Sequence, residues 1–163
     1  MRLKSKRIII TGGASGIGSS ICSVFASEGA KLVVADIDES GAKKTVSLIN
    51  ESGGEAMALC SDISSEKSVK SLIEQSVEFL GGIDVLVNDA AAFIYGNIEE
   101  VTKSDWDKVF GVNVIGASNM IKFSLPYLKM WINLSFISAS NLFLCSKSRA
   151  SYFILGVNVY TSF

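Results

Sequence analysis

The segment around residues 7–18 constrains the fold of this chain more than any other part of its sequence. An apolar run, Ile-Ile-Ile at 8–10, leads directly into Thr-Gly-Gly-Ala-Ser-Gly-Ile-Gly at 11–18, and a helical pattern follows. Glycines let a backbone turn tightly and approach a ligand without Cβ clashes. A helix N-terminus offers unpaired N–H groups and the positive end of the helix dipole to phosphates. The segment therefore predicts a strand, a turn and a helix that bind a diphosphate. A glycine-rich turn without a ligand is the alternative, which this context disfavours.

An acidic residue supplies the second constraint. Asp36 ends the second apolar run, 18 residues after Gly18. A carboxylate there can accept hydrogen bonds from both ribose hydroxyls of NAD, and it would repel the 2′-phosphate of NADP. Neither the glycine loop nor the residues just after Asp36 include Lys or Arg. The spacing therefore predicts NAD as the cofactor, and a solvated loop carboxylate is the alternative. The predicted contacts from these two segments are Thr11, Gly12, Ala14, Ser15, Gly16, Ile17, Gly18, Asp36 and Ile37.

Apolar runs alternate with helical patterns along the chain, which is typical of βαβ units and a parallel sheet. The predicted strands are Arg7–Thr11, Lys31–Ala35, Glu55–Cys60, Ile83–Asn88 and Ile132–Ile137. Predicted helices cover about 16–28, 40–51 and 65–80, and a fourth begins with a capping box at 104–107. The sheet-facing stripe of this fourth helix is predicted to be Trp106, Phe110, Asn113, Ala117, Met120, Ile121, Ser124 and Leu128. Right-handed crossovers place such helices on both sheet faces. We expect an α/β fold with a doubly wound parallel sheet, a Rossmann-type three-layer sandwich that is incomplete at the C-terminus.

Composition changes sharply towards the end of the chain. All 16 acidic residues lie at or before Asp107, and the stretch 131–163 is rich in Ser, Asn and large apolar residues. With 163 residues, one domain is expected. Residues 1–130 are predicted to form a dinucleotide-binding Rossmann domain, and 131–163 the fifth strand plus an aberrant tail. Within that tail, residues 152–160 are apolar enough to form an unpaired, aggregation-prone strand.

Charge and cysteine content exclude several kinds of function. A net charge of −1 gives no reason to expect nucleic acid or an anionic membrane as partner. The absence of histidine excludes a Ser-His-Asp triad, and the three cysteines lack metal-ligand spacing, so no metal site is predicted. Scattered, odd-numbered cysteines are typical of a reducing compartment, and the apolar N-terminal run is too short for a signal peptide. We therefore expect a cytoplasmic protein.

The motifs together resemble the short-chain dehydrogenase/reductase family over roughly residues 6–134. The family's T-G-x-x-x-G-x-G loop is matched in full at 11–18, and its acidic-apolar pair after the third strand is matched by Asp62 and Ile63. Its N-N-A-G appears as Asn-Asp-Ala-Ala at 88–91, with two departures, and its catalytic asparagine matches Asn113. The resemblance implies that Asp62, Ile63, Asn88, Ala90 and Ala91 border the cofactor. It also implies that Asn113 takes part in a helix distortion and in a water-linked proton relay.

Simpler interpretations exist for three of these polar residues. Asp62 could cap the helix that begins near residue 65. Asn88 could tie neighbouring strands together. Asn113 could be a buried amide whose hydrogen bonds serve only the structure.

The catalytic pattern of the family is not reproduced. Family members use a Ser, and a Tyr-x-x-x-Lys in which the Lys lowers the pKa of the Tyr so that the phenol can act near neutral pH. No Tyr-x-x-x-Lys occurs in this chain. Phe136 stands at the usual serine position, and Phe143, four residues before Lys147, stands where the Tyr is expected. The remaining candidates are Ser135, Ser138, Lys147 and Tyr152, together with Asn113.

Two functions follow from this resemblance. The first is an NAD(H)-dependent oxidoreductase that transfers hydride between a small-molecule secondary alcohol or ketone and nicotinamide. The second is a non-catalytic NAD-binding fragment. The family implies a homo-oligomer, but the interface would be incomplete here. The tail leads us to expect a truncated, alternatively spliced or frame-shifted product.

Overall fold

A computed structural model describes residues 1–128 in full, together with the backbone of residues 132–133 and 158–162. Four parallel strands lie in the order β3-β2-β1-β4. They are β1 Arg7–Thr11, β2 Lys31–Asp36, β3 Glu55–Cys60 and β4 Val85–Asn88. Helices α1 Gly16–Ser27, α2 Glu39–Glu51 and α3 Glu66–Leu80 connect them. After β4 come α4 Lys103–Phe110, a π-helical segment Gly111–Gly116 and α5 Ala117–Ser124.

Two hydrophobic cores cover the two faces of this sheet. Side chains alternate along β1, so Ile9 faces one core while Ile8 and Ile10 face the other. The Ile9 core includes residues of α3 and α5, and the opposite core includes residues of α1 and α2. Helices on both faces make the three-layer, doubly wound α/β sandwich that the alternating pattern predicts. The predicted fold class is therefore confirmed for the parallel part of the sheet.

A partly buried ion pair fixes β1 against the start of β4. The Nε of Arg7 donates to Oδ2 of Asp84 at 2.8 Å, and its Nη2 donates to Oδ1 at 2.9 Å. The backbone N–H of Arg7 also donates to Oδ2 of Asp84, at 3.0 Å. The Asp84 contact raises the pKa of Arg7 further above its ordinary value. This fork-like pairing sets the register of the two strands whose carboxyl ends border the site.

The sheet edge beyond β4 differs from the prediction. Strand β6 Asn158–Ser162 pairs antiparallel with β4, and β5 Ile132–Asn133 pairs antiparallel with β6. The expectation that residues 152–160 form an unpaired strand is wrong for 158–160, because these residues pair with β4. Strand β4 is buried along its whole length, so its outer N–H and C=O groups need backbone partners, which β6 supplies. Residues 134–137 of the predicted fifth strand lie outside the described residues.

The fourth predicted helix is broken and begins earlier than expected. Thr102, and not Ser104, is its N-cap, because the Asp105 carboxylate accepts hydrogen bonds from both the N–H and the hydroxyl of Thr102. The π-helical segment then shifts the phase of the helix. For this reason the predicted stripe is buried only after the distortion, as at Met120, while Trp106 and Phe110 are about half-exposed.

Two smaller features complete the described part of the chain. Strand β4 starts at Val85 and not at Ile83, which forms an isolated bridge to Leu128. The side chain of Asp84 binds Arg7 at this point, and the regular pairing of β4 with β1 begins at the next residue, Val85. None of the helices among the described residues is both long and apolar enough to cross a membrane.

Candidate cofactor site

The glycine loop lies between the carboxyl ends of β2 and β4. The N–H of Gly12 donates to the carbonyl oxygen of Ala35 at 2.8 Å, which joins the loop to the end of β2. On the other side, a Cβ built on Gly12 would lie 2.7 Å from the backbone nitrogen of Ala90. Gly12 has a φ of +77°, a conformation that favours glycine. No larger residue fits here without a backbone shift, so this packing requires glycine at position 12.

The loop leads into the N-terminus of α1, which is exposed at residues 15–17. Ser15 is the N-cap residue, but its hydroxyl makes no capping hydrogen bond. A Cβ on Gly16 would meet nothing within 4 Å, and the next side chain, Ile17, is 65% exposed. The start of α1 is therefore open to solvent, and its helix dipole favours an anion there.

Asp36 lies beside the loop at the end of β2, where the sequence predicts it. Its Oδ2 accepts a hydrogen bond from the N–H of Ala14 at 2.9 Å, and its Oδ1 accepts one from the N–H of Asp38 at 3.0 Å. These bonds fix the carboxylate at the rim of the loop. Ile37, the next residue, is exposed and provides an apolar surface on this side.

Thr11 joins the loop to the segment after β4. Its hydroxyl accepts hydrogen bonds from the N–H groups of Asp89 and Ala90, at 3.2 and 3.3 Å, and donates to the carbonyl of Val87. Thr11 is fully buried, and its hydroxyl holds the backbone after β4 in place, while its predicted contact with the cofactor stays a prediction. Ala90 is half-buried against the loop and Ala91 is exposed.

Asn88 is the least satisfied polar residue of this region. It is 6% exposed, and among the described residues neither its Oδ1 nor its Nδ2 has a hydrogen-bond partner. Its backbone pairs with β1 and β6, but its side chain does not tie the strands together in the described part of the chain. A buried amide without partners is unfavourable on its own and indicates a site that is completed by another group.

Asp89 is a site residue that the sequence analysis did not assign. It stands where the family pattern has Asn, and that departure was the available signal. A Cβ on Gly18 would lie 2.8 Å from Oδ2 of Asp89, so the carboxylate lies against the first turn of α1. Burial raises the pKa of Asp89, and the nearby Asp36 raises it as well, while the backbone N–H of Gly18 opposes this change.

The pair Asp62 and Ile63 lies at the end of β3 and does not cap α3 directly. Oδ1 of Asp62 accepts hydrogen bonds from the N–H and the hydroxyl of Ser64, and Ser65 is the N-cap of the helix. Ile63 is 5% exposed and packs against Gly116, where an added Cβ would lie 2.9 Å from it. The side chain of Ile63 therefore belongs to the core between the β3 turn and the broken helix.

Asn113 lies within the π-helical segment, so the expected helix distortion is present at this residue. Its Oδ1 accepts from the N–H of Ala92 at 2.8 Å, and its Nδ2 donates to the carbonyl of Ala92 at 3.0 Å. This two-way bond holds the segment after β4 at a fixed distance from the helix. The amide is satisfied as the structural alternative requires, and a part in proton relay stays a prediction. Ser135, Ser138, Lys147 and Tyr152 lie outside the described residues.

A dinucleotide fits the chemistry of this arrangement. The glycine loop and the open N-terminus of α1 suit a diphosphate, and the Asp36 carboxylate suits a ribose with two free hydroxyls. Asn88 offers buried amide groups that have no partner within residues 1–128. These features come from the ends of three strands, at the place where open α/β sheets bind ligands.

Comparison with known proteins supports the same interpretation. A family model described as short chain dehydrogenase matches residues 6–149. An uncharacterized oxidoreductase of Thermotoga maritima is 40% identical over 129 residues, which are 79% of this chain and 51% of that protein. The chain thus spans about half the length of the curated relatives that it matches.

Solved structures show the same similarity. A short-chain dehydrogenase/reductase from Burkholderia phymatum, in complex with NAD, superposes with a TM-score of 0.75 at 33% identity, covering 78% of this chain and 46% of that chain. A short chain dehydrogenase from Burkholderia cenocepacia, in complex with NADP, gives a TM-score of 0.75 at 30% identity, covering 78% and 53%. Structures similar to this chain therefore include both an NAD and an NADP complex.

Proposed function

Because the chain belongs to the short chain dehydrogenase family, we propose that its glycine loop binds a nicotinamide dinucleotide and prefers NAD to NADP. The observation that carries this preference is the position of Asp36, whose carboxylate accepts the N–H of Ala14 at the rim of the loop. A carboxylate beside the ribose accepts hydrogen bonds from the hydroxyls of NAD and repels a 2′-phosphate. No Lys or Arg in the loop or directly after Asp36 offsets this charge.

Each region of the site has one task in this proposal. The N-terminus of α1, together with Gly12, Ser15 and Ile17, would receive the diphosphate, and Asp36 would orient the adenosine ribose. Asn113 keeps the segment after β4 in place through Ala92. When bound, the nicotinamide accepts or supplies hydride, which suits oxidoreductase chemistry between a secondary alcohol and a ketone. The acid/base candidates for that reaction stay Tyr152, Lys147, Ser135 and Ser138.

A second function is favoured by one observation. The chain contains no Tyr-x-x-x-Lys, so no phenol has a cation at the spacing that would lower its pKa. A dinucleotide-binding protein without turnover therefore remains the competing proposal. Both proposals require NAD binding, and only the first requires hydride transfer.

Ligand titration tests the cofactor preference. We expect NAD to bind at least about tenfold more tightly than NADP, because like charges would meet at the 2′-phosphate. Asp36→Ser should reduce the ratio of the NAD and NADP affinities to near one. Glu74→Gln also removes one negative charge, at an exposed position on α3, and should leave the ratio unchanged. The proposal is wrong if the wild-type protein prefers NADP. Absorbance at 340 nm with a panel of secondary alcohols and ketones then separates turnover from binding alone.

We also propose a cytosolic location, for which the thiols provide support. Cys22 and Cys60 are both free, and Cys60 is exposed. Burial raises the pKa of Cys22 to about 12, so this thiol stays protonated and unreactive. An exposed free thiol is typical of a reducing compartment. Cell fractionation with a tagged chain would test the location.

A further inference from the structure

Asp89 places a negative charge under the end of α1 that would receive a diphosphate. The carboxylate is half-buried, and its Oδ2 lies 2.8 Å from where a Cβ on Gly18 would be. The backbone of Asp89 is held in place by the Thr11 hydroxyl, which accepts a hydrogen bond from the Asp89 N–H at 3.2 Å. Gly18 is in the first turn of α1, so the carboxylate lies on the positive end of the helix dipole.

The surroundings of Asp89 do not neutralise it. In the described part of the chain, the ionisable groups that interact with it are Asp36 at the end of β2 and the Cys22 thiol on α1. Asp36 repels it, and Cys22 stays uncharged. Binding a diphosphate at the same helix end would bring further negative charge close to two carboxylates.

We propose that Asp89 determines how tightly this site binds a dinucleotide, and that its carboxyl group takes up a proton when the diphosphate binds. This inference depends on the proposed dinucleotide binding. The ionised carboxylate interacts with the positive end of the α1 dipole and repels the negatively charged diphosphate. The neutral carboxylic acid has no charge and does not repel the diphosphate. The proton comes from solvent and stays on the carboxyl group while the ligand is bound.

The direction of the pH effect follows from this charge arrangement. Burial already raises the pKa of Asp89 in the free protein, and a bound anion raises it further. Affinity should therefore increase as the pH falls through the pKa of the complex, and level off below the pKa of the free protein. In this window each unit of pH changes the dissociation constant by up to about tenfold.

Asp89→Asn is the informative variant because it removes the charge and keeps the shape. The amide oxygen can still face the N–H of Gly18. We expect NAD to bind this variant about tenfold more tightly than the wild type at pH 8, and we expect the difference to disappear as the pH falls below the raised pKa of Asp89 in the free protein. Glu74→Gln changes the net charge equally at an exposed site on α3 and should behave like the wild type.

Isothermal titration calorimetry provides a readout that a purely structural effect would not change. Titrating NAD into the wild-type protein, in two buffers of different ionisation enthalpy, should show proton uptake at pH values between the pKa of Asp89 in the free protein and its higher pKa in the complex, and Asp89→Asn should show none. ADP-ribose, which carries the same diphosphate, should behave like NAD, while adenosine should show no proton uptake. These wild-type measurements test the idea even if the variant folds poorly.

The outcomes separate this inference from the proposed function. NAD binding with equal affinity and equal proton uptake in the wild type and in Asp89→Asn overturns the role of Asp89 and leaves dinucleotide binding intact. A well-folded wild-type protein and variant that both fail to bind millimolar NAD overturn the proposed function, and this inference with it.

Discussion

The carboxyl ends of β2 and β4 each place an aspartate against the glycine loop, but in different environments. Asp36, after β2, accepts N–H groups from Ala14 and Asp38 and is fixed at the rim. Asp89, after β4, lies half-buried beneath the first turn of α1, where burial raises its pKa. The two carboxylates flank the same loop from opposite sides.

The difference shows that position, and not residue type, decides what a carboxylate contributes to such a site. A rim carboxylate meets ribose hydroxyls, which donate hydrogen bonds to it. A carboxylate under the helix N-terminus meets a diphosphate, which has the same sign of charge. One aspartate is thus expected to select the ligand, and the other to weaken its binding and make it depend on pH.

The largest expected effect comes from disturbing the contact between the loop and the β4 end. In Gly18→Ala, the new Cβ would lie 2.1 Å from the Gly12 carbonyl oxygen and 2.8 Å from Oδ2 of Asp89. Because the nearest atom is backbone, the loop must shift, at a cost of about 3 kcal/mol in unfolding free energy. NAD affinity should fall by about 100-fold or more, as measured by titration calorimetry. Gly96→Ala is the control, since its Cβ would have no neighbour closer than 3.9 Å. Similar losses in both variants would show that the close packing of the loop is not what matters.

A smaller effect is expected when the ion pairs on the two sides of the sheet are removed and compared. Asp84→Asn removes one partner of the fork-like ion pair between β1 and β4, and should lower the unfolding free energy by about 2–3 kcal/mol in chemical denaturation. Glu55→Gln removes the pair between Glu55 and Lys31 on the β2–β3 side, where Glu55 is 63% exposed. This second change should cost less than about 0.5 kcal/mol. Equal losses of unfolding free energy would mean that the partly buried Arg7–Asp84 pair stabilises the protein no more than the exposed Lys31–Glu55 pair does.

The β2 side of the site was predictable from sequence because local rules determine it. The glycine pattern, the apolar runs of β1 and β2, and the spacing from Gly18 to Asp36 each depend on residues close in the chain. The parallel pairing of β1 with β2 and the position of the loop agree with these patterns. Of the predicted contacts, Ala14 and Asp36 meet each other in the structure.

The β4 side was less predictable because its contacts depend on the tertiary arrangement. The bonds from Asn113 to Ala92 cross 21 positions, and the π-helical turn that carries Asn113 also changes which side chains are buried. This is why Trp106 and Phe110 were wrongly assigned to the buried stripe. The N-cap was misplaced at Ser104 because two overlapping Thr/Ser-x-x-Asp patterns compete, and only the hydrogen bonds of Asp105 decide between them. The pairing of β6 with β4 joins residues far apart in the chain, and no local pattern indicates it.

The smallest expected effect is the pH dependence of stability at the β4 end, and it applies without any ligand. The pKa of Asp89 in the folded protein is raised above its ordinary value of 3.8, so the folded state holds this proton more tightly than the unfolded state. Its contribution to stability is therefore fully present below about pH 3.8 and is lost as the pH rises through the raised pKa.

Relative to Asp89→Asn, the wild-type protein should become less stable as the pH rises from about 3.8 through the raised pKa of Asp89, by less than about 1 kcal/mol because the carboxyl group is only half-buried. Urea denaturation of both proteins across this range measures the difference. Taking the difference is necessary because other carboxyl groups, such as those of Glu66 and Asp105, have lowered pKa values and give the opposite slope in both proteins. A difference in stability that does not change with pH would mean that burial does not raise the pKa of Asp89, and the proposed role of its charge would lose this support.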